Sequence, residues 1–369
     1  MKKSLLLSVL TLGMVSLAAC GNDENNGDVN EAPGNNGNNN EEVTDNNDEV
    51  NNNNNNDGNA AEEEDEVSLR FGMQQGTQSN EYQAASLLAD YIEEESGGSL
   101  TMDIYPDAQL GNDLAMLNEL EDGTLDVTLA EAGRFGEWLP RAELLMLAYL
   151  IDDFDHLNRV LYETDYGQDL FGELESEFGM RVVDTAYNGT RQTTSNTEIN
   201  SIDDMAGLSL RVPEAQNLLD YASYTGANPT PMAFDEVYLA LQTNQVDGQE
   251  NPLSLIQANS FHEVQDYLIM THHVVNDANY VVSQVTWDSL SEEHQQILEA
   301  GIAEAVEEHT SLFVQEEEEL VEFFEAEGMT VIEPDLAPFE EALSESYDKY
   351  LEDIGEGAEE YLQIINDAR

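Results

Sequence analysis

The chain has 369 residues, 78 Asp plus Glu against 11 Lys plus Arg, a formal net charge of -67 and one cysteine. Nucleic-acid binding is excluded, because phosphate neutralisation needs basic patches that this composition does not supply, and no disulfide can form within the chain. Such a charge suggests a salty habitat: at about 1 M salt the Debye length is about 3 Å, so surface acids barely repel an incoming anion.

Residues 1–20 read as an export signal, with Lys2 and Lys3 ahead of an apolar run and small residues before Cys20. Leu17-Ala18-Ala19-Cys20 resembles the lipobox of bacterial lipoproteins, which makes Cys20 the lipidation site. Residues 21–66 hold 18 asparagines, many acids and no aromatic, too little apolar surface to offset the entropy of ordering. They read as a tether reaching about 35–40 Å. No later stretch is long and apolar enough to span a bilayer.

The body from residue 67 onward alternates. A strand at 67–73 feeds a helix at 79–95; a strand at 100–105, a helix at 113–121 and a strand at 126–131 follow. An apolar helical or irregular stretch covers 139–150, helices cover 153–162 and 166–178, and a strand covers 181–187. The pattern restarts with a capped helix at 201–206, a strand at 208–212 and a helix at 214–224. Two further helices flank turn-like residues 247–252, and strands follow at 267–270 and 280–285. One helical pattern at 291–327, about 55 Å long at 1.5 Å per residue, exceeds a small domain and leans across two. A strand at 329–332 and helices at 336–353 and 356–367 end the chain. Alternation of this kind predicts an α/β fold with largely parallel sheets.

Ligands of open α/β sheets bind beyond the carboxyl ends of strands. Gln74, Glu131, Asn188, Arg191 and Arg211 stand there. Lys349 is the only lysine outside the export segment, beside eight arginines, so an arginine at a strand end pairs a buried acid or holds an anion. Arg211, next to Pro213, is read as facing a cleft. Arg134 can orient Glu131 or the ligand of Arg211. Asn251 before Pro252 is held extended, which aims its amide away from a turn. Phe234 packs on the apolar side of a ligand or fills the core. Support for catalysis is weak: His272-His273 lacks a third ligand at metal spacing, and no GxSxG or phosphate-cradling glycine loop occurs, so neither metal nor cofactor is expected. Paired carboxylates are numerous enough that a surface glycosidase stays open by counting.

Three segments carry a family resemblance: Asn188-Gly189-Thr190-Arg191-Gln192-Thr193-Thr194-Ser195-Asn196, Gly207-Leu208-Ser209-Leu210-Arg211-Val212-Pro213, and Pro231-Met232-Ala233-Phe234-Asp235-Glu236-Val237-Tyr238-Leu239-Ala240-Leu241-Gln242-Thr243, with Val246-Asp247-Gly248-Gln249-Glu250-Asn251-Pro252 continuing the match. They resemble the extracytoplasmic solute receptors of TRAP transporters (DctP type), and within them the N-acetylneuraminate (sialic acid) receptors, through residues 187–196 and Leu129-Ala130-Glu131 with Arg134-Phe135.

The resemblance implies a two-lobed periplasmic-binding-protein-like fold with a ligand cleft between lobes and a long helix spanning both. Lobe I would comprise 67–188 with 277–316, and lobe II 189–276 with 317–369. It implies that Arg211 bridges the ligand carboxylate, supported by Arg191, with a hydrogen bond from Asn251. Phe234 would line the apolar side, and Asp113, Ala130 and Glu131 would meet the sugar's hydroxyl and glycerol groups. Integral membrane permease subunits using a sodium gradient are the implied partners. Gln74 and Glu214 depart from the pattern, each standing where the sialic-acid receptors are expected to carry Asn. The departures leave other sugar acids, dicarboxylates and ectoine-like zwitterions as alternative ligands.

Overall fold

The computed structural model of the protein describes residues 66–369; the export segment, Cys20 and the tether up to residue 65 lie outside the described residues. β1 (Val67–Gly72) runs into α1 (Asn80–Glu95), then come β2 (Leu100–Tyr105), α2 (Asp113–Glu121) and β3 (Val127–Ala130). The Ser79 hydroxyl starts α1 by accepting the Tyr82 N–H at 3.1 Å, and the helix buries Ala84, Ala85, Leu88 and Ile92 as one stripe. Asn112 caps α2 in the same way, accepting the Ala115 N–H at 3.0 Å. The apolar stretch after β3 forms two 3-10 segments, Ala132–Glu137 and Pro140–Met146. The single helix expected at 153–162 divides into α3 (Phe154–Asn158) and a wider π turn, Arg159–Glu163, before α4 (Asp165–Phe178).

The largest departure from the sequence pattern is a pair of long strands. The strand expected at 181–187 continues as β4 (Met180–Ser195), and those expected at 267–270 and 280–285 are one strand, β8 (Tyr267–Ser283). Their middles were illegible because they are polar and still buried: Asn188, Arg191, Gln192, Thr193 and Thr194 on β4, and Thr271, His273, Asn276 and Asp277 on β8. Apolar alternation marks a strand only where a face meets an apolar core.

Between them lie β5 (Ser209–Val212), α5 (Gln216–Tyr224), β6 (Asn228–Pro231), α6 (Val237–Gln242), β7 (Gly248–Pro252) and α7 (Leu253–Ala258). Residues 247–252, read as a turn, thus supply a buried strand, and the helix expected at 201–206 is one 3-10 turn, Ile202–Met205, closed by a Ser201/Asp204 capping box. After β8 come α8 (Gln284–Ser289), α9 (Glu292–Glu327), β9 (Thr330–Ile332), α10 (Ala337–Ile354) and α11 (Ala358–Asp367).

The strands form one mixed sheet in the order β2-β1-β3-β8-β4-β7-β5-β6, with β9 on β8. It is not largely parallel, because β8 runs antiparallel to β3 and β4, and β4 antiparallel to β7. β4 and β8 each serve two halves. Met180–Tyr187 pairs with the Asp277 end of β8 beside β3, whereas Thr193–Ser195 pairs with Tyr267–Ile269 beside β7. The halves are two lobes. At the crossing the register slips between Tyr187 and Thr190; Gly189 takes φ +82° there, and an added Cβ would stand 2.8 Å from Pro252 Cβ.

α9 spans both lobes over its 36 residues, about 54 Å. Leu298, Ile302 and Ala305 join the core of α1 and β1, while Leu320 and Phe324 join that of β7's neighbours Val246 and Leu253. α11 leans back on the first lobe, where His156 Nε2 meets Ile365 O at 2.8 Å and Arg159 Nε donates to Ala368 O at 2.7 Å.

Candidate functional site

Residues following the carboxyl ends of β1 and β3 in one lobe, and of β5 and β6 in the other, line a single cleft of about 770 Å³. The structure brings together there all of Gln74, Asp113, Ala130, Glu131, Arg134, Arg191, Arg211, Glu214, Phe234 and Asn251. Asn188 is not among its lining residues; it is buried and meets His309 Nε2 at 3.0 Å.

The three cleft arginines differ in what already holds them. Arg191, 1 % exposed, donates through Nη2 to Glu250 Oε1 at 2.9 Å and Asn251 Oδ1 at 3.2 Å, through Nη1 to Glu131 Oε1 and Asn276 Oδ1 at 3.1 Å each, and through Nε to Glu250 Oε2. Burial opposes its charge, but Glu250, Glu131 and Asp113 prevail and hold its pKa above the ordinary value. Arg134 faces Asp113 Oδ2 at 3.3 Å and Glu131 Oε2 at 3.4 Å, and crosses the cleft to donate to the Glu214 carbonyl at 3.0 Å. Arg211, on β5 and 1 % exposed, has no acid within ion-pair distance among the described residues. Its Nε and Nη2 donate to Met232 O at 3.2 and 2.8 Å, and its buried Nη1 has no partner among the described residues. Desolvation, only partly offset by Glu250, lowers its pKa to about 10. A buried guanidinium N–H without a partner carries a desolvation cost that an anion's oxygen would offset.

The facing wall is acidic. Asp113 accepts from Gln74 Nε2, and burial raises its pKa, with Arg134 opposing. Asp277 accepts the Ala132 N–H at 3.1 Å and Asn279 Nδ2 at 2.6 Å; burial pushes its pKa up to about 7. Asn279 Nδ2 also fixes the Ala130 carbonyl at 2.9 Å. Half-buried Phe234 closes the apolar side, its ring centroid 6.0 Å from the Arg211 guanidinium carbon.

Residues 71–353 match the family model "Bacterial extracellular solute-binding protein, family 7". The chain belongs to this family. It is 50% identical over 289 residues to the sialic acid-binding periplasmic protein of Vibrio cholerae, covering 78% of this chain and 90% of that protein. It is 31% identical over 295 residues to the 2,3-diketo-L-gulonate-binding periplasmic protein of Escherichia coli, covering 79% and 89%. Among solved structures, the TRAP periplasmic solute-binding protein of Roseobacter denitrificans with bound L-galactonate superposes with a TM-score of 0.75 at 30% identity, covering 82% of this chain and 99% of that one. The family-7 chain is therefore a TRAP-type solute receptor of an extracytoplasmic family and not an enzyme, which sets the glycosidase aside. None of the helices among its described residues is long and apolar enough to cross a membrane.

Two groups of this receptor's site escaped sequence reading. Glu250 is fully buried behind Arg191, and its Oε2 also meets His273 Nε2 at 3.1 Å. Burial works against its charge, yet Arg191 and His273 hold its pKa down to about 2. His273 in turn stacks on Tyr221 at 3.9 Å and meets the Thr271 hydroxyl at 2.9 Å, while burial keeps its imidazole pKa low. Glu250 stood inside a segment already singled out, beside Asn251, but as one of 78 acids in residues read as a turn it was not marked as a buried strand residue. Asp277 carried no signal either.

Proposed function

We propose that this chain is the lipid-anchored receptor of a TRAP transporter for a carboxylate-bearing sugar acid, first of all N-acetylneuraminate. Cys20 would anchor it outside the cell membrane, and the loaded receptor would deliver its ligand to integral membrane permease subunits driven by a sodium gradient. The observation that carries this reading is the unpartnered Nη1 of Arg211 in the cleft. The identity to the Vibrio cholerae sialic acid-binding protein supports the choice of sugar acid.

In this reading the ligand carboxylate docks on Arg211, with the apolar face of the sugar on Phe234. Asp113, Glu131 and the Ala130 carbonyl accept from its hydroxyls. Arg191 has its donors engaged within the protein, so it acts by fixing Glu131 and Asn251. An aldonate such as L-galactonate is the second reading, supported by the Roseobacter denitrificans neighbour.

Calorimetric titration with N-acetylneuraminate tests the proposal. Charge-assisted hydrogen bonds contribute about 1.5–3 kcal/mol each, so losing a bidentate contact in Arg211→Ala weakens binding by at least about 100-fold. Arg211→Lys is also weakened, because a point charge cannot reproduce the planar fork. Near-normal affinity in Arg211→Ala sinks the assignment.

A further inference from the structure

Arg211 Nη1 is the one cleft-lining guanidinium nitrogen among the described residues with neither a hydrogen bond nor an ion pair; Arg134 Nε and Nη2, which also lack a hydrogen bond, face Glu131 Oε2 at 3.4 Å and Asp113 Oδ2 at 3.3 Å. The cleft therefore offers a cationic seat for a single carboxylate. Against it stand Asp113, Glu131, Asp277 and Glu214. The first three have their charge met by protein partners and keep lone pairs for hydroxyls: Asp113 meets Gln74 and Arg134, Glu131 meets Arg191 and Arg134, and Asp277 meets the Ala132 N–H and Asn279. Glu214 is different. Only its backbone carbonyl is used, by Arg134, while its exposed side chain has no bond or ion pair among the described residues and borders the cleft three positions after Arg211.

Resting on the receptor reading above, we propose that Glu214 is a specificity residue that restricts the cleft to monocarboxylates, accepting hydroxyl or amide donors of a ligand and repelling a second carboxylate. A polyol end supplies donors to a wall made of acceptors; a carboxylate end supplies none and adds like charge. Two like charges about 6 Å apart weaken binding about threefold at the dielectric of water and about a hundredfold at an effective dielectric of 20, so about tenfold is the expectation for an exposed lip.

The test compares Kd within two pairs that differ by oxidation of a terminal CH₂OH to a carboxylate: N-acetylneuraminate with its 9-carboxylate, and galactonate with galactarate. The purified protein should bind the dianion of each pair at least about tenfold more weakly. Glu214→Gln, whose backbone carbonyl still receives Arg134, should lower the dianion-to-monoanion Kd ratio by about tenfold. The wild-type ratio should also shrink between 0.05 M and 1 M salt, which a merely structural lip residue would not produce. A ratio identical in wild type and Glu214→Gln overturns the proposal, as does a wild-type protein that takes both members equally. Silence with N-acetylneuraminate but heat with galactonate removes the sialic-acid reading alone, and the galactonate pair then decides the charge rule by the same ratio. Binding of dianions without either monoanion overturns both.

Discussion

Arg191 on β4 and Arg211 on β5, strands that flank β7, are equally buried and differ in one respect, the acid beside them. Glu250 serves Arg191 and leaves Arg211 with a carbonyl. Removing one partner of a buried ion pair strands the other charge, which costs about 3–5 kcal/mol. Glu250→Gln should therefore lower Tm by about 10 °C in a thermal melt without ligand, whereas an unchanged Tm would mean that Arg191 is held well enough by Glu131 and Asn276. Scarcity of cations made both arginines visible in the sequence, and Pro213 pointed Arg211 toward a cleft. Which of them was already neutralised was not visible, because the partners come from β3, β7 and β8 and meet only through the sheet order.

Elements were legible where one face meets an apolar core and illegible where polar strands cross between lobes. α1, α2 and α9 followed from their helical patterns, while the middles of β4 and β8 carry buried polar side chains that mimic loops. Gly301 lies within α9, where an added Cβ would lie 2.9 Å from Leu88 and Tyr91, so it marks the close approach of α9 to α1. Overpacking typically costs about 1–3 kcal/mol, and Gly301→Leu should destabilise despite its better helix propensity; a Tm at or above wild type would show that the seam is loose. In the same seam Glu81, in the first turn of α1, is fully buried with neither carboxyl oxygen in a hydrogen bond of good geometry. Desolvation, with Glu316 adding repulsion, raises its pKa from 4.5 to about 7. Its contribution to stability is full below pH 4.5 and lost as pH rises through about 7, a change on the order of 3 kcal/mol. Glu81→Gln should gain stability relative to wild type between pH 5 and pH 9 in chemical denaturation, and a constant difference would mean that the seam admits water to the ionised carboxylate.

At the scale of the molecule, two lobes share β4, β8 and α9, and the cleft lies where they meet. The expected α/β architecture and the long spanning helix were legible; the mixed sheet was not, since strand direction depends on the unrecognised length of β4 and β8. We propose that the net charge of -67 suits the protein to high salt. Self-repulsion among surface acids falls as the Debye length shrinks from about 10 Å at 0.1 M to about 3 Å at 1 M, so Tm should rise over that range; a flat or falling Tm would assign the acids another role. The placement of a ligand carboxylate on Arg211 is tested most directly by titrating the protein with N-acetylneuraminate and with its C1 methyl ester, which keeps the sugar and removes the charge. Saturable binding of the acid with at least about 100-fold weaker binding of the ester is expected from the loss of two charge-assisted hydrogen bonds; equal affinity for acid and ester would show that the Arg211 guanidinium is not what receives the ligand.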